Sequence, residues 1–168
     1  LLGSSALDNL GSGYVTALSN GNWDISSPSW GWSVGQASAY GKGAAIWMNG
    51  SSGQLADSLY GGVVSSTNSL VGSVAGDAVG GLGFCDCSFG GDITALSNGN
   101  YIVNSPNFNG QLGALTWANG SRGLAGLVGS GNSVTMRQQS VFEAGTSGKV
   151  LVGAGTSNAG KGAVYVLG

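Results

Sequence analysis

Few side chains in this sequence are suited to catalysis. The 168 residues include no His and only 7 Asp or Glu, and His is the usual general base near neutral pH. Residues 31–35 match the G-x-S-x-G pattern of a nucleophile elbow, but the chemistry of that elbow depends on a His partner. We therefore predict that the protein is not an enzyme and that it uses no cofactor.

Paired carboxylates are a second kind of catalytic group, because two of them can hydrolyse a glycosidic bond. The Asp residues considered for such a pair are Asp24, Asp57, Asp86 and Asp92. None of them recurs as part of a repeated pair, and an isolated Asp most often shapes a turn. The acidic residues therefore leave the prediction of a non-enzymatic protein unchanged.

Cys85 and Cys87 are the only cysteines, and one residue separates them. Because the chain has no His and no second Cys pair to complete a set of four ligands, we predict no metal site. A disulfide between cysteines so close in the chain would be strained. Two interpretations stay open. The favoured one is two small side chains near a loop, and the other is a strained local disulfide or an intermolecular bridge in an oxidising compartment.

The aromatic residues favour binding over catalysis. Trp30 and Trp32 border an insertion that also contains Gln36 and Tyr40. An aromatic face can stack on a sugar ring while amide groups bind the sugar hydroxyls. These four residues are therefore the candidate ligand-binding residues of a lectin. Packing between repeats explains the two Trp residues about equally well.

The composition is typical of short strands and turns. Gly accounts for 34 residues and charged residues for only 7% of the chain, so long helices with a solvated charged face are not expected. The net charge of −2 disfavours nucleic-acid binding, which needs clustered Lys and Arg. No apolar run approaches the roughly 20 residues that span a bilayer, and we expect no membrane insertion.

A repeated hairpin organises the chain. Residues 16–30 and 94–108 both begin with Thr-Ala-Leu-Ser-Asn-Gly-Asn and continue through an apolar segment to Ser-Pro. Asn-Gly predicts a type I′ turn, in which both central residues have positive φ. A third, degraded copy runs through residues 147–154. These copies indicate a repeat protein.

Other segments recur as well. Residues 1–11 match residues 70–80, and a strand that ends in Trp and an Asn-Gly turn occurs at 43–53 and again at 113–123. Residues 160–167 match this strand loosely. Its position after each hairpin predicts a third strand in every unit.

Short apolar segments at residues 59–64 and 124–128 are predicted to be the fourth strands, and residues 134–143 are predicted to form a further strand. The predicted units are residues 1–69, residues 70–133 and a partial third unit at residues 134–168. Four-stranded units of this length favour an all-β, β-propeller-like fold with two full blades and a partial third. A β-solenoid is the alternative, although solenoid coils are usually shorter.

The hairpin Ala-Leu-Ser-Asn-Gly-Asn-Tyr-Ile-Val-Asn-Ser-Pro and the segment 149–166 resemble FG-GAP-type propeller repeats, the blades of integrin α-subunits. The Asn-Gly-Asn repeats with Ser-Pro and Trp are also similar to tandem repeats of large bacterial haemagglutinin-like surface proteins. The resemblance implies propeller blades and a role in adhesion. FG-GAP blades often carry an acidic calcium-binding loop at this hairpin. Here Ser, Asn and Gly stand where carboxylates would drive calcium affinity, so no calcium ligands are carried over.

We therefore predict a non-enzymatic surface or matrix repeat protein, secreted or at the cell surface, that acts in adhesion or self-assembly. Propellers close with about 4–8 blades, and the edges of an incomplete set invite pairing with other chains. We expect self-association through these edges to complete the fold. The alternative function is a lectin that binds glycans through aromatic loop residues. Unrepeated insertions at residues 31–42 and 83–91 are the expected recognition loops.

Overall fold

The computed structural model describes residues 1–38, 40–81, 93–135, 141–154 and 161–168. These residues form short strands and one helical turn. The strands are β1 (Val15–Ala17), β2 (Trp23–Ser27), β3 (Ala44–Met48), β4 (Leu70–Val71), β5 (Ile93–Ala95), β6 (Tyr101–Ser105), β7 (Ala114–Ala118), β8 (Gly126–Leu127), β9 (Ser133–Thr135), β10 (Val141–Ala144), β11 (Val150–Ala154) and β12 (Ala163–Leu167). The predicted all-β fold class is confirmed.

Three sheets follow one another along the chain. Their strand orders are β1-β2-β3-β4-β8, β5-β6-β7-β9 and β10-β11-β12. Each sheet begins with an antiparallel hairpin, and the following strand adds antiparallel to its second strand. The described residues form no closed barrel, so the structure supports repeated sheets and leaves propeller closure a prediction.

The hairpin turns differ from the predicted type I′ turn. In the first hairpin Gly21 has a φ of 85°, but Asn20 does not have a positive φ. The N–H of Gly21 donates to the carbonyl of Leu18 at 3.0 Å, and the N–H of Leu18 donates to the carbonyl of Asn22 at 2.8 Å. This is a three-residue hairpin loop in which a left-handed Gly follows the turn. The second and third hairpins close in the same way.

The prediction that residues 59–64 and 124–128 are the fourth strands of their own units is wrong. The fourth strand is β4 in the first sheet and β9 in the second, and both pair antiparallel with the strand that precedes them in the sheet. Residues 59–64 contribute only isolated bridges. A strand of two or three residues is too short to show the alternating pattern from which a strand is recognised.

β8, which lies within residues 124–128, belongs to the preceding sheet. It pairs in parallel with β4, with Leu70 opposite Gly126 and Val71 opposite Leu127. A strand from the second repeat therefore extends the first sheet. β4 and β9 lie at the predicted unit boundaries 69/70 and 133/134, and those boundaries stay predictions.

Neighbouring sheets bury apolar faces against each other. The first core contains Trp47 and Leu70 of the first sheet with Tyr101 and Val103 of the second. The second core contains residues of the second and third sheets, among them Ile102, Leu115, Val150 and Val152. A third cluster covers the back of the first sheet with Leu55 and Val64, which pack on Ile46. Successive residues of one strand thus face different cores, as the two-residue period of a strand requires.

One element was not predicted. The turn α1 (Phe108–Gln111) follows β6, and its Asn109 and Gly110 have left-handed φ values of 51° and 67°. It is a single irregular turn and not a helix with a regular interior. β9 and β10 lie at the two ends of the stretch 134–143, which was predicted to be one strand, but they belong to different sheets, so the prediction of a single strand there is wrong. No helix in the described part of the chain is long and apolar enough to cross a membrane.

Candidate functional site

The four residues predicted to bind glycans lie in the loop between β2 and β3, and all four are partly buried. Trp30 packs against the cluster behind the first sheet. Its carbonyl accepts a hydrogen bond from the N–H of Gly43 at 3.0 Å. Its indole N–H is buried and has no hydrogen-bond partner among the described residues. Trp30 therefore supports the core beneath the loop.

Trp32 and Gln36 hold the loop together. The indole N–H of Trp32 donates to the carbonyl of Ser38 at 3.0 Å. The Gln36 amide donates to the carbonyl of Tyr40 at 2.8 Å and accepts from the N–H of Ser33 at 3.3 Å. The structure thus brings all four predicted residues into one loop. A ligand that used the Gln36 amide would have to replace these bonds.

Cys85 and Cys87 lie outside the described residues, as does the whole insertion 83–91. The cysteine interpretations and the role of that insertion therefore stay predictions.

Asp8 fastens the segment before β1 to the loop after β2. Its carboxylate accepts hydrogen bonds from the backbone N–H and hydroxyl groups of both Ser4 and Ser5. The N–H of Gly31 donates to the same carboxylate at 2.8 Å. Burial raises the pKa of the Asp8 carboxyl, but these hydrogen bonds outweigh burial and lower the pKa below its usual value.

Asp77 makes corresponding contacts in the second repeat, except that Val74 has no hydroxyl in place of that of Ser5. Its Oδ2 accepts from the N–H and hydroxyl of Ser73 and from the N–H of Val74, at 2.9 to 3.1 Å. Its Oδ1 accepts from the N–H of Asn109 at 3.0 Å. The two carboxylates are therefore structural anchors, as expected for Asp residues in turns.

Among the described residues, Asp24 is the carboxylate that lies in an apolar interface. It lies on β2, is fully buried, and is next to the hydroxyl group of Tyr101 on β6. Neither carboxylate oxygen has a hydrogen bond of ordinary geometry to a described residue. Burial raises the pKa of Asp24 to about 7, although Tyr101 and the N–H of Ile46 partly oppose the change. Burial and the nearby charge of Asp24 also raise the pKa of Tyr101.

Trp47 joins the first sheet to the turn after β7. Its indole N–H donates to the carbonyl of Gly120 at 2.9 Å, and the amide of Asn22 donates to the same carbonyl at 2.7 Å. Gly123 lies directly against the Trp47 ring, because a Cβ there would be 2.8 Å from Trp47 Cβ. The repeated Trp and the repeated Asn-Gly turn are thus parts of one packing contact.

Trp117 is the counterpart of Trp47 in the second repeat, but its surroundings differ. Its indole N–H is buried and has no hydrogen-bond partner in the described ranges. A cavity of about 460 Å³ opens beside it, lined by Asn119, Arg122, Asn132 and Val166 among others. In the first interface the turn at Gly120 fills the corresponding place.

The outer face of the third sheet is apolar and exposed. Leu151, Val164 and Val166 are 54%, 69% and 62% exposed. Pairing places Leu151 opposite Val166 on neighbouring strands. In the second sheet the corresponding pair is Ile102 and Trp117, and these lie in the core with the third sheet. The third sheet therefore presents the same kind of face without a covering sheet among the described residues.

Sequence reasoning missed the deep burial of Asp24 and the exposure of this outer face. The available signal for Asp24 was its position, because the hairpin copies align it with Ile102. The signal for the outer face was the match of residues 160–167 to the Trp-bearing strand. The described residues contain no group of three or more His, Cys, Asp or Glu that could hold a metal ion.

A family model described as a repeat of unknown function (DUF5650) matches residues 17–81 and 95–141, about two thirds of the chain. Each matched range begins within the first strand of a hairpin or just after it, which confirms the repeat nature predicted from the hairpin copies. No curated protein and no solved structure matches the chain. Each matched range contains most of one full repeat, and the chain belongs to this family of DUF5650 repeats.

Proposed function

We propose that this protein is a non-enzymatic repeat protein of the cell surface or extracellular matrix that acts in adhesion or self-assembly. One observation carries the proposal: Val164 on the third sheet is 69% exposed, while its counterpart Leu115 on the second sheet is completely buried. An apolar sheet face of this kind favours association, because covering it removes apolar surface from water.

The stacking of the hairpins supports a continued array. The hydroxyl of Ser19 donates to the carbonyl of Leu96 in the second hairpin at 2.8 Å. The hydroxyl of Ser97 donates to the carbonyl of Thr146 in the third hairpin at 2.9 Å. At both junctions a Ser hydroxyl of one hairpin therefore donates to a turn carbonyl of the next hairpin, and the two accepting residues are one position apart in the repeat. A propeller-like ring resembling FG-GAP repeats, completed by other copies, is the architecture that we propose for the assembly.

Multi-angle light scattering over a wide range of concentrations tests this function. We expect the average mass to rise with concentration above that of one chain. A constant mass of one chain at every concentration would overturn self-assembly.

Labelling of intact cells of the source organism with a membrane-impermeant reagent tests the surface location, and labelling only after lysis would contradict it.

A lectin is the second candidate, because Trp32 and Tyr40 are partly exposed in one loop. The sharper variant is Trp32→Ala, since Trp30 also packs on the core. Tyr14→Ala is the matched control, because Tyr14 is 56% exposed and lies outside the loop. Loss of glycan-array binding in Trp32→Ala alone would support the lectin. Absence of binding by the unaltered protein would remove it.

A further inference from the structure

The junction between the first two sheets shows how one repeat joins the next. β4 pairs antiparallel with β3, with Val71 opposite Ala44 and Leu70 opposite Ala45. On its other edge β4 pairs in parallel with β8 of the following repeat. A two-residue strand therefore links a complete sheet to the next repeat. Its residues Leu70 and Val71 are buried, with only 1% and 2% of their surface exposed.

Leu1 and Leu2 reproduce half of this junction. The repeat aligns them with Leu70 and Val71, and Leu2 pairs in parallel with Val63. The N–H of Leu2 donates to the carbonyl of Gly62 at 2.8 Å. On the opposite edge, where β4 has β3, no described residue pairs with them. Leu2 is accordingly 67% exposed.

β12 presents the other half of the junction. Among the described residues it pairs with β11 on one edge only. Its register on β11 places Ala163 opposite Ala154, as Ala44 lies opposite Ser27 in the first sheet. Ala163 and Val164 therefore correspond to Ala44 and Ala45, the two residues of β3 that pair with β4.

We infer that a second copy of this chain adds its Leu1–Leu2 segment to the free edge of β12. The pairing is antiparallel, with Leu2 of one copy opposite Ala163 of the other and Leu1 opposite Val164. This inference rests on the proposed function, because it names the contact through which self-assembly occurs. The register is that of β4 on β3 and of β9 on β7.

The same docking covers both exposed apolar surfaces. The second copy brings Trp23, on its β2, and Tyr60, in the segment that covers the back of its first sheet, over Val164 and Val166; Trp23 and Tyr60 are 42% and 70% exposed. In the internal junction the corresponding faces form the first core. The contact joins different surfaces of the two copies, so its repetition produces a closed ring or an open array.

Disulfide trapping tests the register between chains. Both native cysteines are first replaced (Cys85→Ser, Cys87→Ser), and a chain with Leu2→Cys is mixed with a chain carrying Ala163→Cys under mild oxidation. Directly opposite residues on antiparallel strands are within disulfide reach, whereas residues two positions away are too far apart. We expect a covalent heterodimer at least about tenfold more abundant than with Tyr165→Cys, since diagonal neighbours exceed the usual bridging distance. Equal yields, or no heterodimer at concentrations at which the chain associates, would overturn the inference.

A charged substitution on the edge strand β12 tests this junction separately from the proposed function. Val164→Lys opposes strand addition at β12, and we expect association to weaken by roughly tenfold or more. Val15→Lys is the matched control. Val15 is 62% exposed and lies on β1, which is the edge strand at the start of a sheet, whereas β12 is the edge strand at the end of one. If the unaltered chain never associates, the self-assembly in the proposed function fails. If it associates and Val164→Lys does not weaken association, only the β12 junction fails.

Discussion

Asp24 on β2 faces Tyr101 on β6 in the core between the first two sheets, with its carboxylate fully buried. Burial raises the pKa of Asp24 from 3.8 to about 7 in the folded protein. Because the folded pKa lies above the unfolded pKa, the stabilising contribution is fully present below the unfolded value. It is lost as pH rises through the folded value.

The free energy of unfolding should therefore decrease between about pH 4 and pH 8. The decrease from this group is up to roughly 4 kcal/mol, since each unit of pKa difference corresponds to about 1.4 kcal/mol. Urea denaturation at a series of pH values measures it. Asp24→Asn should flatten the profile and stabilise the protein above neutral pH. Asp24→Ile, which copies Ile102 of the second repeat, should do the same, whereas an unchanged pH slope in Asp24→Asn would contradict the prediction.

Trp47→Phe should destabilise the protein more than Trp117→Phe. Trp47 donates a hydrogen bond to the carbonyl of Gly120, whereas the indole N–H of Trp117 has no partner among the described residues. Both substitutions shorten an aromatic side chain, so the difference between them reports the hydrogen bond together with the closer packing of Trp47. We expect a difference of about 1 kcal/mol in the free energy of unfolding, measured by urea denaturation. Equal losses of stability would contradict this prediction.

Asp77→Asn should destabilise the second repeat. Asn has nearly the same shape, but one of its two terminal atoms donates where the carboxylate accepts from Ser73, Val74 and Asn109. We expect a loss of about 2 kcal/mol, because hydrogen bonds to charged groups are strong and a backbone N–H is left without an acceptor. Asp57→Asn is the control, since Asp57 accepts one exposed bond, from the N–H of Leu59. Thermal unfolding of both variants measures the difference, and similar melting temperatures would refute the anchor role.

Gly123→Ala should lower the free energy of unfolding more than Gly53→Ala does, although the repeat places the two residues at equivalent positions. Both have left-handed backbones, with φ values of 72° and 77°. A Cβ at residue 123 would be 2.8 Å from Trp47 Cβ, while a Cβ at residue 53 would meet no atom within 4 Å. The backbone strain is common to both, so the excess, about 1–3 kcal/mol, measures overpacking against Trp47. Chemical denaturation of the pair tests this, and equal losses would mean that the Trp47 ring moves aside without cost.

The local parts of the fold were predictable from the sequence. Asn-Gly and Gly residues between apolar segments identify hairpins, and the repeated sequence segments predicted β2, β3, β6 and β7 correctly. The turn type was predicted wrongly because Asn-Gly suits more than one hairpin loop. In this protein the left-handed residue is Gly21 and not Asn20.

The candidate sites were less predictable. The sequence singled out Trp30, Trp32, Gln36 and Tyr40 because they are large or polar in an unrepeated loop, and it could not show that the Gln36 amide bonds to the loop itself. Asp24 drew attention only as one of the Asp residues considered for a carboxylate pair. Its significance depends on the depth of burial, which no local pattern reports.

By itself, the sequence determined the repeat, the all-β class, the hairpins and the third strand of each unit, because these depend on turn residues and on contacts between neighbours in the chain. Only the tertiary structure decided that β4 and β9 are the fourth strands, that β8 crosses in parallel to the preceding sheet, and which sheet faces are covered. These features depend on pairing between residues that are distant in sequence. Strands of two residues have no pattern of their own, and the neighbouring repeat stabilises them.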